Sequence, residues 1–162
     1  LGVGVALMGE PHTLVLDEPA NGLDPEGIRW MRGLLDDFAS QGGTVLLSSH
    51  ILSERQALAD RIAVMYSGRL VETANVYDLY AKPAHPYTRG LLESIPRLDQ
   101  KGQTLAAIGG LPPNLLRIPP GCAFNPRCRM AQDICRQERP ELREVAPGRM
   151  SACHFAEEVI NA

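Results

Sequence analysis

Apolar residues in the first half of the chain come in short runs separated by polar turns. Residues 1–8 read as the end of a helix and residues 9–11 as a turn. Thr13–Leu16 is then a continuous apolar run, the pattern of a parallel-sheet strand covered on both faces. Asp24 followed by Pro25 predicts an N-cap and first helical turn, and Ile28, Met31, Leu34, Leu35 and Phe38 recur at helical spacing behind them. Gly42 and Gly43 stop that helix, and a second apolar run, Thr44–Leu47, follows. Strand, helix and strand in this order imply a parallel α/β unit. Further on, residues 53–59 read as a helix, and residues 61–72 as two strands joined by a tight turn at Ser67-Gly68. Asn75 is placed to cap a short helix to residue 80, and Pro86 to open another running to residue 94.

The texture changes near Ile95 and Pro96. Residues 96–162 hold most of the prolines, all four cysteines and little periodicity, so two domains are expected, 1–95 and 96–162. The second has the look of an irregular extension with poor prospects for an apolar core, its fold dependent on a cross-link. With 162 residues, 44% hydrophobic and 22% charged, the whole has the size and balance of one ordinary globular domain or slightly more. A net charge of -3 without a run of Lys or Arg excludes the electrostatic footprint of a nucleic-acid partner. No apolar run approaches the roughly 20 residues that span a bilayer. The first eight residues lack the basic leader of a signal peptide, and a start at Leu1 leads us to expect a fragment.

Chemistry concentrates where the first strand ends. Asp17 and Glu18 stand at the C-terminal end of a parallel strand, the edge at which open α/β sheets bind ligands. An isolated Asp-Glu pair would pass as a surface strand end. The run "TLVLDEPANGLDP", followed after one helix by "TVLLSSH", resembles the Walker B, D-loop and switch-histidine segments of the ATP-binding cassette ATPases. That resemblance implies an α/β fold, the C-terminal part of a P-loop NTPase core carrying a small irregular cysteine-containing extension. It implies ATP and Mg²⁺ as ligands, with Asp17 orienting Mg²⁺ through a water and Glu18 acting as the general base on the attacking water. Asp24 would lie in the D-loop at the interface with a second ATPase subunit, and His50 would register the γ-phosphate. The G-x-x-x-x-G-K-[ST] phosphate loop, the glutamine loop and the "LSGGQ" signature do not occur in these residues.

The later segments narrow the resemblance. "RIAVMYSGRLVETA", "HPYTRGLLESIP" and "GCAFNPRCRMAQDIC…ACH" are similar to the C-terminal extension of the dipeptide and oligopeptide importer ATPases. Residues 1–54, with "SSHIL" where peptide importers commonly carry "THDL", look closer to exporter-type cassette ATPases, so a hybrid is expected. The implied partners are a second ATPase subunit and transmembrane permease subunits, and the implied location is the cytoplasmic face of the cell membrane. Two other readings stand beside a peptide-transport ATPase: an exporter-type ATPase with a borrowed tail, and a non-catalytic iron–sulfur or zinc module.

Cys122, Cys128, Cys135 and Cys153 are separated by five, six and seventeen residues, an even set open to disulfide, zinc or iron–sulfur readings. Disulfides do not suit an ATPase of the reducing cytosol. No C-x₂₋₄-C knuckle favours zinc. Four thiolates suit a [4Fe–4S] cluster, which some peptide-importer tails carry, so the cluster is the expectation and zinc the alternative. Arg127, Arg129 and Arg136 would offset the charge of such a site, or simply form a solvated basic surface.

Overall fold

The computed structural model describes residues 2–49, 59–95 and 107–162. His50 and nearly all of the helix expected over residues 53–59 lie outside them. The chain divides into two compact units, Leu1–Leu58 and Ala59–Ala162.

The first unit is a mixed α/β element. Helix α1 (Gly2–Leu7) leads into β1 (Thr13–Leu16), α2 (Pro25–Ser40) and β2 (Thr44–Leu47), with β1 and β2 parallel and Leu16 opposite Leu47. As the sequence predicts, the Asp24 carboxylate caps α2, accepting from the Gly27 N–H at 2.7 Å, and Pro25 fills the first turn. Met31 and Leu35 of α2 bury against Leu14 and Leu16, with Phe38, Val45 and Leu47 at the margin. Gly42 adopts φ +91° after the helix, and Gly43 lies under the Phe38 ring, where a Cβ would come within 2.3 Å of a ring carbon. The expected two-sided burial of the strands is not met among the described residues. Leu14 and Leu16 are buried, whereas Val15 is 71% exposed and Leu46 62%.

In the second unit, β3 (Arg61–Tyr66) and β4 (Arg69–Asn75) form the expected hairpin across Ser67 and Gly68, both at positive φ. Its β3 strand alternates exposed and buried positions throughout, with Ile62, Val64 and Tyr66 inward. Asn75 caps α3 (Val76–Ala81), and His85 caps α4 (Pro86–Glu93). The tail departs from expectation: it is neither irregular nor without a core. It supplies a 3₁₀ turn (Asn125–Arg127), α5 (Asp133–Gln137), β5 (Arg143–Ala146), β6 (Arg149–Ser151) and α6 (Ala156–Asn161). Its β6 pairs with β4, placing Glu72 opposite Ser151, so the four strands run in the order β3-β4-β6-β5. Phe124 joins Tyr66, Val71, Val76 and Leu79 in one buried cluster, and Ala156 and Val159 form another with Cys153. This shared sheet and core put the division between units after residue 58 rather than at 95/96.

Candidate functional site

The carboxylate end of the parallel pair is built from β1 and β2 together. The last rung of the ladder is the Ser48 N–H donating to the Leu16 carbonyl at 2.9 Å, which sets Ser48 beside the residues that leave β1. The Glu18 N–H donates to Ser48 Oγ at 3.0 Å, and the Ser48 hydroxyl donates to Asp17 Oδ1. Glu18 itself holds φ +45°, a conformation that non-glycine residues seldom adopt, while its carbonyl accepts from the Asn21 N–H at 3.0 Å. Strain of this kind costs on the order of 1–3 kcal/mol and is concentrated at functional sites. Of the expected site residues, Asp17, Glu18 and Asp24 thus lie on one strand end and the helix start that follows it. The Asp24 carboxylate is the α2 cap. Sequence reasoning passed over Ser48, whose only signal is a polar residue ending an apolar strand.

The cysteines meet at a second place, within the second unit. Cys122, Cys128, Cys135 and Cys153 all line one cavity of about 20 Å³, together with His85, Phe124 and Met130. The loop that brings the first and third together is closed by the Cys122 N–H donating to the Cys135 carbonyl at 2.8 Å. Gly121, at φ +71°, permits this approach, since a Cβ there would sit 2.4 Å from the same carbonyl oxygen. Burial raises the thiols of Cys122 and Cys128 and pushes that of Cys153 up to about 12, with repulsion among the cysteines acting in the same direction. These three are therefore protonated at neutral pH. Among the described residues, no three His, Cys, Asp or Glu side chains stand where they could hold a metal ion. The donor set has converged, yet neither the zinc nor the iron–sulfur expectation is supported by this geometry. Arg127 donates instead to the carbonyls of Ile108 and Gly109, and Arg136 pairs with Asp133.

The "HPYT" run packs against this cavity. His85, 1% exposed, accepts the Tyr87 N–H at Nδ1 (3.0 Å) and engages the Ala152 carbonyl next to Cys153. Burial lowers its pKa to about 4, so it is neutral at physiological pH. Pro86 opens α4, the Tyr87 ring lies tilted against Tyr66 and Phe124 with centroid distances of 4.6 and 5.4 Å, and Thr88 is fully buried. Each residue of the motif has a packing reason. Nearby, Glu72 and Arg149 form a buried pair at 3.8 Å, with Glu72 Oε1 also accepting from the Ala84 N–H at 2.7 Å.

Residues 71–135 match the sequence family described as the oligopeptide/dipeptide transporter, C-terminal region. The oligopeptide transport ATP-binding protein OppD of Escherichia coli is 41% identical over 152 residues, 93% of this chain and 45% of that protein. In sequence, the chain corresponds to the C-terminal region of oligopeptide-transport ATP-binding proteins. The protein AppD of Bacillus subtilis, with the same description, is 41% identical over 157 residues, 96% of this chain and 48% of its own length. The chain thus spans about half the length of these relatives. Among solved structures, cbiO1 from Clostridium perfringens, part of an ABC transporter complex, is 33% identical over 44% of this chain and 29% of that one, with a TM-score of 0.41. Because the OppD and AppD alignments cover more than nine-tenths of the chain, peptide-transport relatives match the first half as well as the tail.

Proposed function

We propose that this chain is the catalytic-carboxylate and C-terminal part of an ATP-binding cassette ATPase subunit that drives peptide transport across a membrane. The observation that carries the proposal is the placement of Asp17 and Glu18 side by side at the end of β1, tied through Ser48 to the end of the neighbouring parallel strand. In this reading Asp17 holds a metal-bound water of Mg-ATP, and Glu18 takes the proton of the water that attacks the γ-phosphate. Asp24 would lie at the contact with a second ATPase subunit, and His50, outside the described residues, would register the γ-phosphate. Positioning and charge supply most of the acceleration in phosphoryl transfer, which suits residues fixed on strand ends rather than on free loops. No described helix is long and apolar enough to cross a membrane. In the same reading, permease partners supply the membrane path and hold the subunit at the cytoplasmic face.

Glu18→Gln in the full-length gene product tests the assignment. Hydrolysis should fall by roughly a hundredfold or more, the scale of a lost general base, while ATP still binds. Turnover at the parent rate would remove Glu18 from the mechanism.

The finer reading of the cysteines is a four-thiolate site for an iron–sulfur cluster. It is supported by the convergence of four cysteines on one cavity, and opposed by the absence among the described residues of a metal-holding arrangement. Anaerobic purification decides: iron and sulfide with broad visible absorption support it, and protein free of both overturns it.

A further inference from the structure

We propose that Ser48 is a positioning residue for the hydrolytic carboxylates, a role that rests on the ATPase reading above. Its hydroxyl has one proton and two lone pairs. The proton goes to Asp17 Oδ1, and one lone pair takes the Glu18 N–H at 3.0 Å. Its own N–H is meanwhile committed to Leu16 at 2.9 Å, so the side chain has little freedom to leave. One serine on β2 therefore fixes two consecutive residues of β1 at the point where the backbone turns into the left-handed region. Two consequences follow for chemistry. With Oδ1 engaged, Oδ2 is the oxygen of Asp17 available to a metal-bound water, which selects one carboxylate orientation. With its amide held, Glu18 keeps the unfavourable φ +45° at the point where the chain leaves β1. Alanine would release both residues at once, and water at this exposed position would replace the hydrogen bonds without replacing their direction. Threonine retains the hydroxyl, and cysteine offers only a weak donor.

The test uses the full-length gene product and three readouts: kcat, KM for ATP, and the Mg²⁺ concentration giving half the maximal rate. Ser48→Ala should lower kcat roughly tenfold to a hundredfold, the range seen when a residue orienting a metal-site ligand is lost, and should raise the Mg²⁺ requirement while leaving KM for ATP unchanged. Ser48→Thr should restore most of both, with Ser48→Cys between the two. A general packing role would not move the Mg²⁺ midpoint. Should the alanine protein fail to fold, the Thr and Cys variants carry the comparison, and equal kcat and Mg²⁺ midpoints for Ser, Thr and Cys would overturn the proposal. So would an alanine protein with parent kcat and Mg²⁺ dependence alongside an inactive Glu18→Gln control. If Glu18→Gln itself turns over like the parent, the ATPase assignment falls first and Ser48 has nothing to position.

Discussion

Acid should weaken the second unit through His85, and replacing that residue by Asn should remove the effect. In the fold His85 is neutral, with a pKa near 4 against an ordinary 6.5, because burial penalises the imidazolium. Between those values the unfolded chain binds more protons than the folded one. Stability linked to His85 is therefore fully present above pH 6.5 and is lost as pH falls toward 4. The 6.5-to-4 displacement amounts to about 2 kcal/mol at pH 5 and about 3 kcal/mol at pH 4, relative to neutral pH. Glu72 acts in the opposite sense, since burial raises its pKa, so absolute stability at a single pH would mislead. Its environment includes the backbone of residue 85, which Asn preserves, so it cancels when parent and His85→Asn are compared. Asn can also cap α4. Urea unfolding should be followed by the near-ultraviolet signal of the tyrosines, all four of which lie in the second unit, with Trp30 in the first unit as an internal reference. The stability gap between parent and variant should narrow by the stated amounts as pH falls, while the Trp30 transition shows no difference between them. Parallel pH curves for the two proteins would refute a neutral, buried His85.

Gly121→Ala should cost at least about 2 kcal/mol and open the Cys122–Cys135 loop, because the new methyl would meet the Cys135 carbonyl oxygen at 2.4 Å; thermal unfolding and thiol-labelling rates would show both. A buried and an exposed ion pair should separate cleanly in urea. Arg149→Met leaves the buried Glu72 without its cation and should cost about 3–5 kcal/mol, whereas Arg143→Ala removes an exposed partner of Glu157 and should leave the unfolding midpoint almost where it was.

The elements legible in the sequence are those with a local punctuation mark. Asp24-Pro25 fixed the start of α2, Ser67-Gly68 the β3–β4 turn, and Asn75 and Pro86 the two short helices. What escaped were the tail strands β5 and β6 and, within the expected β4, the burial of a carboxylate. In β6, Arg149 and Ser151 are the buried residues and Met150 is less so, which inverts the usual alternation, and Glu72 of β4 is completely buried. Those burials make sense only once Arg149 meets Glu72 and Ser151 Oγ donates to the Ala84 carbonyl, contacts made between residues 67 or more positions apart for Ser151 and 77 apart for the ion pair. Apolar composition likewise marked β1 as two-sided without indicating what would cover Val15. At the candidate site, Asp17 and Glu18 were readable as a motif, but Ser48 was not, because its part depends on strand register. The meeting of the four cysteines at one cavity was expected from their number, whereas the lack of a metal-holding arrangement there, among the described residues, was not.

Coupled transport tests the proposal that this chain belongs to an ATPase that moves peptides. The full-length gene product should be reconstituted with its membrane partners in vesicles, with nucleotide supplied on the ATPase side and labelled oligopeptide on the other. Peptide should cross only with hydrolysable ATP, hydrolysis should be stimulated by peptide, and Glu18→Gln should abolish both. Hydrolysis indifferent to peptide with no peptide crossing, or full coupled activity in Glu18→Gln, would contradict the proposal.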